Sequence, residues 1–70
     1  MNIEQAVARS MSHTERVSCD FEGDYGALVA FVEETFASGN DAIFSEELDG
    51  TIDIADIDDD WRINVTLVSE

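Results

Sequence analysis

The chain has 70 residues, of which 17 are Asp or Glu, three are Arg and none is Lys, giving a formal charge of -14 at neutral pH. That excess excludes direct binding of nucleic acid or of an anionic membrane, because phosphates are repelled and no basic patch exists to release their counterions. A hydrophobic content of 44% excludes a disordered acidic tail, and a chain of this length buries only about 60% of its unfolded surface, so one domain over 1-70 with a thin core is expected.

In chain order, Asn2 and Gln5 have the spacing of a capping box, and Ile3, Ala6, Val7 and Met11 share one face of a short helix over residues 2-11. "SMSHTER" reads as a polar surface connector. "RVSCDF" then alternates, with Val17, Cys19 and Phe21 on one side and Arg16, Ser18 and Asp20 on the other, the pattern of a half-buried strand. Asp24 is placed to cap a second helix from Tyr25 to Ala37, whose apolar stripe is Tyr25, Leu28, Val29, Val32 and Phe36, with Gly39 as a left-handed stop.

The last third reads as a β-meander, "AIFSEE", "TIDIADI" and "WRINVTLV", with turns near Asp49-Gly50 and Asp58-Asp60. A two-residue first turn would set Glu46 opposite Asp53, a like-charge pair. A three-residue turn of Leu48, Asp49 and Gly50, with Gly50 at positive φ, instead sets Phe44 against Ile54 and Ser45 against Asp53. Alternation fails after Ile54, which leaves a β-bulge at Ala55 and a longer loop from Ile57 as the two solutions. The expected fold is α+β, with one or two helices packed on a three- to four-stranded, mainly antiparallel sheet. Its core comprises Val17, Phe21, Leu28, Val32, Phe36, Phe44, Ile52, Ile54, Trp61, Ile63, Val65 and Leu67. "RVSCDF" or "WRINVTLV" would pair with a second copy if it lay at a sheet edge, and the oligomeric state is left open.

No constellation of residues points to catalysis. His13, the single histidine, sits in the polar connector, and Cys19, the single cysteine, reads as a small buried hydrophobe in a reducing, cytoplasmic compartment. There is no Gly-rich phosphate loop, no zinc-type Cys/His spacing and no basic cluster to hold an anionic substrate, so catalytic residues, cofactor and dedicated metal site are all expected to be absent. "ELDGTIDIAD" resembles half of an EF-hand calcium loop, yet Ser45 and Asp56 occupy the anchor positions where that family needs Asp and a bidentate Glu. Weak attraction of hard cations by Asp58, Asp59 and Asp60 is the most this segment implies.

The acids are unevenly distributed. Residues 41-70 hold ten acids and one Arg, a balance of -9, against -5 in residues 1-40. Glu46, Glu47, Asp49, Asp53, Asp56, Asp58, Asp59 and Asp60 are the candidate partner-binding residues. Alternate residues of a strand lie about 6.6 Å apart, of the order of neighbouring phosphates along one DNA strand. In size, charge and this carboxylate row the sequence resembles the small acidic DNA-mimic inhibitors of phages and mobile elements, including anti-restriction and anti-CRISPR proteins. The resemblance implies a non-enzymatic inhibitor whose partner is the basic DNA-binding surface of a CRISPR or restriction nuclease complex. A second resemblance, to halophilic archaeal proteins, rests on the missing lysine and the acids on every segment, and implies that the charge serves hydration in high salt.

Overall fold

The computed structural model describes residues 2-36 and 42-68. The chain runs α1 (Ile3–His13), β1 (Arg16–Glu22), α2 (Tyr25–Thr35), β2 (Ala42–Glu46), β3 (Ile52–Asp56) and β4 (Arg62–Val68). The architecture is α+β, two helices on a four-stranded mixed sheet of order β1-β4-β3-β2. The β2–β3 and β3–β4 pairs are antiparallel, and β1 lies parallel to β4.

Helix α1 forms where the capping box predicts: the Asn2 side chain accepts from the Gln5 amide at 2.8 Å, and the Gln5 side chain accepts from the Asn2 amide at 3.2 Å. Ile3, Ala6, Val7 and Ser10 are its buried face, so the stripe ends on Ser10 while Met11 is exposed. The reason is a junction. The Ser10 hydroxyl donates to the Glu15 carbonyl at 2.6 Å and accepts from the Arg62 amide at 2.7 Å, tying the end of α1 to the starts of β1 and β4. The helix continues two residues past Met11 to His13 and stops at Thr14, which takes a left-handed φ of 53°.

Asp24 caps α2 by accepting from the Ala27 amide at 2.9 Å. Just before it, Gly23 holds φ +142° at a point where a Cβ would come within 2.9 Å of the Phe21 ring. Leu28 and Val32 are wholly buried, Tyr25 is partly exposed, and Phe31, absent from the expected stripe, packs on the core. Phe31 has its ring centre 5.7 Å from Phe21 and 6.2 Å from Phe36, which in turn lies 5.7 Å from Trp61. This aromatic chain ties β1, α2 and the entry to β4 together. The helix ends at Thr35 with Phe36 as its cap; Ala37 and the Gly39 stop lie outside the described residues.

Registry sorts the two faces of the sheet. Val17, Cys19, Ile63, Val65, Ile52 and Ile54 face the helices, and every other residue expected in the core joins them, with Phe21, Phe36, Phe44 and Leu67 partly buried. The opposite face carries Arg16, Ser18, Asn64, Thr66, Asp53 and Ser45 and has no covering element among the described residues.

Candidate functional site

The acidic candidates sit on the meander, and its two turns fix most of them. In the first, Glu47 N donates to Thr51 O at 2.9 Å and Gly50 N to Glu47 O at 3.0 Å, leaving Leu48, Asp49 and Gly50 as the three-residue turn. Gly50 has φ +89° with open space around it. Phe44 pairs with Ile54 and Ser45 with Asp53, the arrangement that avoids a Glu46–Asp53 clash. Asp49 Oδ1 accepts from the Thr51 amide at 3.0 Å and the Thr51 hydroxyl at 2.6 Å. These bonds hold its carboxyl below the usual Asp range.

The second turn answers the broken alternation: β3 ends at Asp56 and the loop that leads to β4 begins at Ile57. Asp56 N donates to Trp61 O at 3.1 Å and Asp59 N to Asp56 O at 2.9 Å. Asp59 takes a left-handed φ of 59°, which Asp tolerates better than most residues. Carboxylate oxygens of Asp56, Asp58 and Asp60 can all lie within 4.8 Å of one another. Three exposed or half-exposed carboxylates supply part of the 6–8 oxygen shell that calcium takes, and solvent would have to supply the rest.

Asp53 behaves differently from its neighbours. It is 8% exposed although it lies on the uncovered face. Its Oδ1 accepts from Arg16 Nε at 2.9 Å and from Asn64 Nδ2 at 3.0 Å, with the second guanidinium nitrogen at 2.8 Å. Asn64 Nδ2 also donates to Thr51 Oγ1 at 2.8 Å, so the network runs from β1 across β4 to the first turn. Burial pushes the Asp53 carboxyl up, but the bonds from Asn64, Glu47 and Arg16 together overcome it and leave it lowered. Glu47 is raised, first by sharing a hydrogen bond with Asp53 and then by repulsion from it. The two carboxyls line a cleft of about 220 Å³ together with Ile43, Ser45, Ala55, Asp59 and Arg62.

The carboxylates therefore do not form one row along a strand. Asp53 points to the uncovered face, while Asp56, registered with the core residue Ala42, belongs to the other. What the fold brings together is two acidic ends of β3: Glu46, Glu47 and Asp49 at one, Asp56, Asp58, Asp59 and Asp60 at the other. Six of these eight candidates are exposed, Asp56 is half-buried and Asp53 is internal.

Comparison with known proteins finds no matching family model, no matching curated protein and no matching solved structure. The site must be read from its own chemistry. Cys19 is buried on the helix side of the sheet, its thiol pushed up to about 11 by burial and then by Asp20, so it is a protonated, inert thiol at neutral pH. His13 is exposed at the end of α1. The sequence reading missed the polar network. Its signal was an Asn in mid-strand at position 64, on the same side as Arg16, a residue type that strands disfavour unless it is bonded. No helix among the described residues is long and apolar enough to cross a membrane.

Proposed function

We propose that this protein is a non-enzymatic inhibitor that binds the basic, nucleic-acid-binding surface of another protein, the DNA channel of a CRISPR or restriction nuclease complex being the target its resemblance implies. The observation that carries this reading is the pair of exposed acidic ends on one braced strand. The five residues of β3 separate the ends by about 17 Å at about 3.4 Å each. That is the axial rise of about five nucleotides of one DNA strand. Both turns are locked by backbone hydrogen bonds, so the charges are pre-positioned and little ordering entropy is lost on binding. Association would be steered by charge and would weaken with salt.

A second reading has its own observation. Glu4, Glu15, Asp20, Glu22, Asp24, Glu33 and Glu34 are exposed as well, so acids also cover the other elements, as an adaptation to high salt would require.

The test is DNA cleavage and DNA binding by purified CRISPR effector complexes and restriction enzymes, with and without the protein. A variant with Glu46→Gln, Glu47→Gln, Asp58→Asn, Asp59→Asn and Asp60→Asn removes charge while leaving the bonded Asp49 and Asp53 in place. Inhibition by the native chain that this variant loses supports the reading; full inhibition by a folded variant overturns it.

A further inference from the structure

The first turn carries a large aliphatic side chain that packs on nothing in the fold. Leu48 is 108% exposed, more open than any other large hydrophobic residue among the described residues. It occupies a turn position where Gly, Asn, Asp or Ser is the usual choice and where an aliphatic side chain gains nothing from folding. The turn beneath it is held by the Glu47–Thr51 and Gly50–Glu47 backbone bonds and by Asp49 on Thr51. Glu46, Glu47 and Asp49, all exposed, flank it in the chain. Ile57 at the other end of β3 differs, because about half its surface is covered, so it has packing to account for it.

We infer that Leu48 is an anchoring side chain for a protein partner, seating in an apolar pocket whose rim carries Lys or Arg to meet Glu46, Glu47 and Asp49. This rests on the reading above and sharpens it: the partner surface is basic with an apolar recess, because a purely phosphate-like contact needs no leucine. Charge complementarity selects the occupant. A second copy of this chain has no basic rim to offer, since its three arginines include two already paired, Arg9 with Glu15 and Arg16 with Asp53. Nucleic acid and anionic lipid are repelled by the same carboxylates. An aliphatic tip flanked by carboxylates matches the anatomy of interface anchors, in which a desolvated centre supplies affinity and the charged rim supplies orientation and rate.

The experiment titrates the protein into two probes of equal charge, an amphipathic lysine–leucine helical peptide and a lysine homopolymer, by calorimetry at several salt concentrations. Native protein is expected to prefer the amphipathic peptide. Leu48→Ser is expected to weaken that binding about 10- to 100-fold, the range for losing one buried leucine, with melting temperature and salt slope unchanged, and Leu48→Met to restore it. An unchanged affinity for Leu48→Ser overturns the inference, as does a fall in its melting temperature, which would make Leu48 a packing residue. Failure of the nuclease assay with this peptide result intact would remove the DNA-mimic reading and keep the anchor. Nuclease inhibition that survives Leu48→Ser but not the charge-neutralised variant would keep that reading and overturn the anchor.

Discussion

A carboxylate removed from water destabilises a fold unless its lone pairs are used, and Asp53 uses them on Arg16 and Asn64. Asp53→Ala leaves the guanidinium without its acceptor and the Asn64 amide with only the Thr51 hydroxyl. The expected loss is about 2 kcal/mol, the scale of a hydrogen bond to a charged group, and below the figure for a fully buried pair because Arg16 is half exposed. A lowered urea midpoint at unchanged slope checks it. The pair also sets a pH dependence. Glu47 is raised above its ordinary 4.5, so its contribution appears as pH falls through its folded value and is complete below 4.5. Asp53 is lowered below 3.8, so its contribution is complete above 3.8 and is lost as pH falls through its folded value. In Glu47→Gln the amide replaces the proton at every pH. Its melting temperature should exceed that of the native chain at pH 7, and the gap should close on acidification toward 4.5; a gap constant with pH would show that the two side chains do not share a proton.

Among the elements, the α1–β1 connection carries strain that the sequence hides. Thr14 is β-branched and left-handed at φ 53°, a conformation that costs an L-residue about 1–2 kcal/mol. Thr14→Gly should therefore raise stability, by about 1 kcal/mol after the greater freedom of glycine in the unfolded chain is subtracted. Thermal unfolding decides the sign. The turns were more legible. Like-charge repulsion between Glu46 and Asp53 selects the three-residue loop, and the apolar parity change after Ile54 locates the second turn, though alternation alone does not distinguish a loop from a bulge. The parallel pairing of β1 with β4 was not legible, because alternation reports which face a residue takes and says nothing about which strand lies beside it. The same limit hid the fate of the acids. Composition marks eight carboxylates, but one of them becomes an internal hydrogen-bond hub only when Arg16 arrives from β1.

For the molecule as a whole, a charge of -14 on a sheet that the described residues cover on one face sets a balance between repulsion and a small core. Salt shortens the reach of that repulsion from a Debye length of about 30 Å at 0.01 M to about 3 Å at 1 M. If the charge serves a partner, the chain should be folded in about 0.05 M KCl and gain only a few degrees by about 1 M, each kcal/mol being worth about 4–8 °C in a domain of this size. Folding only in molar KCl would move the weight to the high-salt reading. The position of β4 has a further effect, on the order of assembly. It lies between β1 and β3, yet it is synthesised after both. A nascent chain can make α1 and the β2–β3 hairpin early, but β1 has no neighbour until residue 62 and those beyond it emerge. Until then the strand edges that β4 will cover, one on β1 and one on β3, stay open, a configuration that invites aggregation. The carboxylates that burden the finished fold would keep such unfinished chains apart.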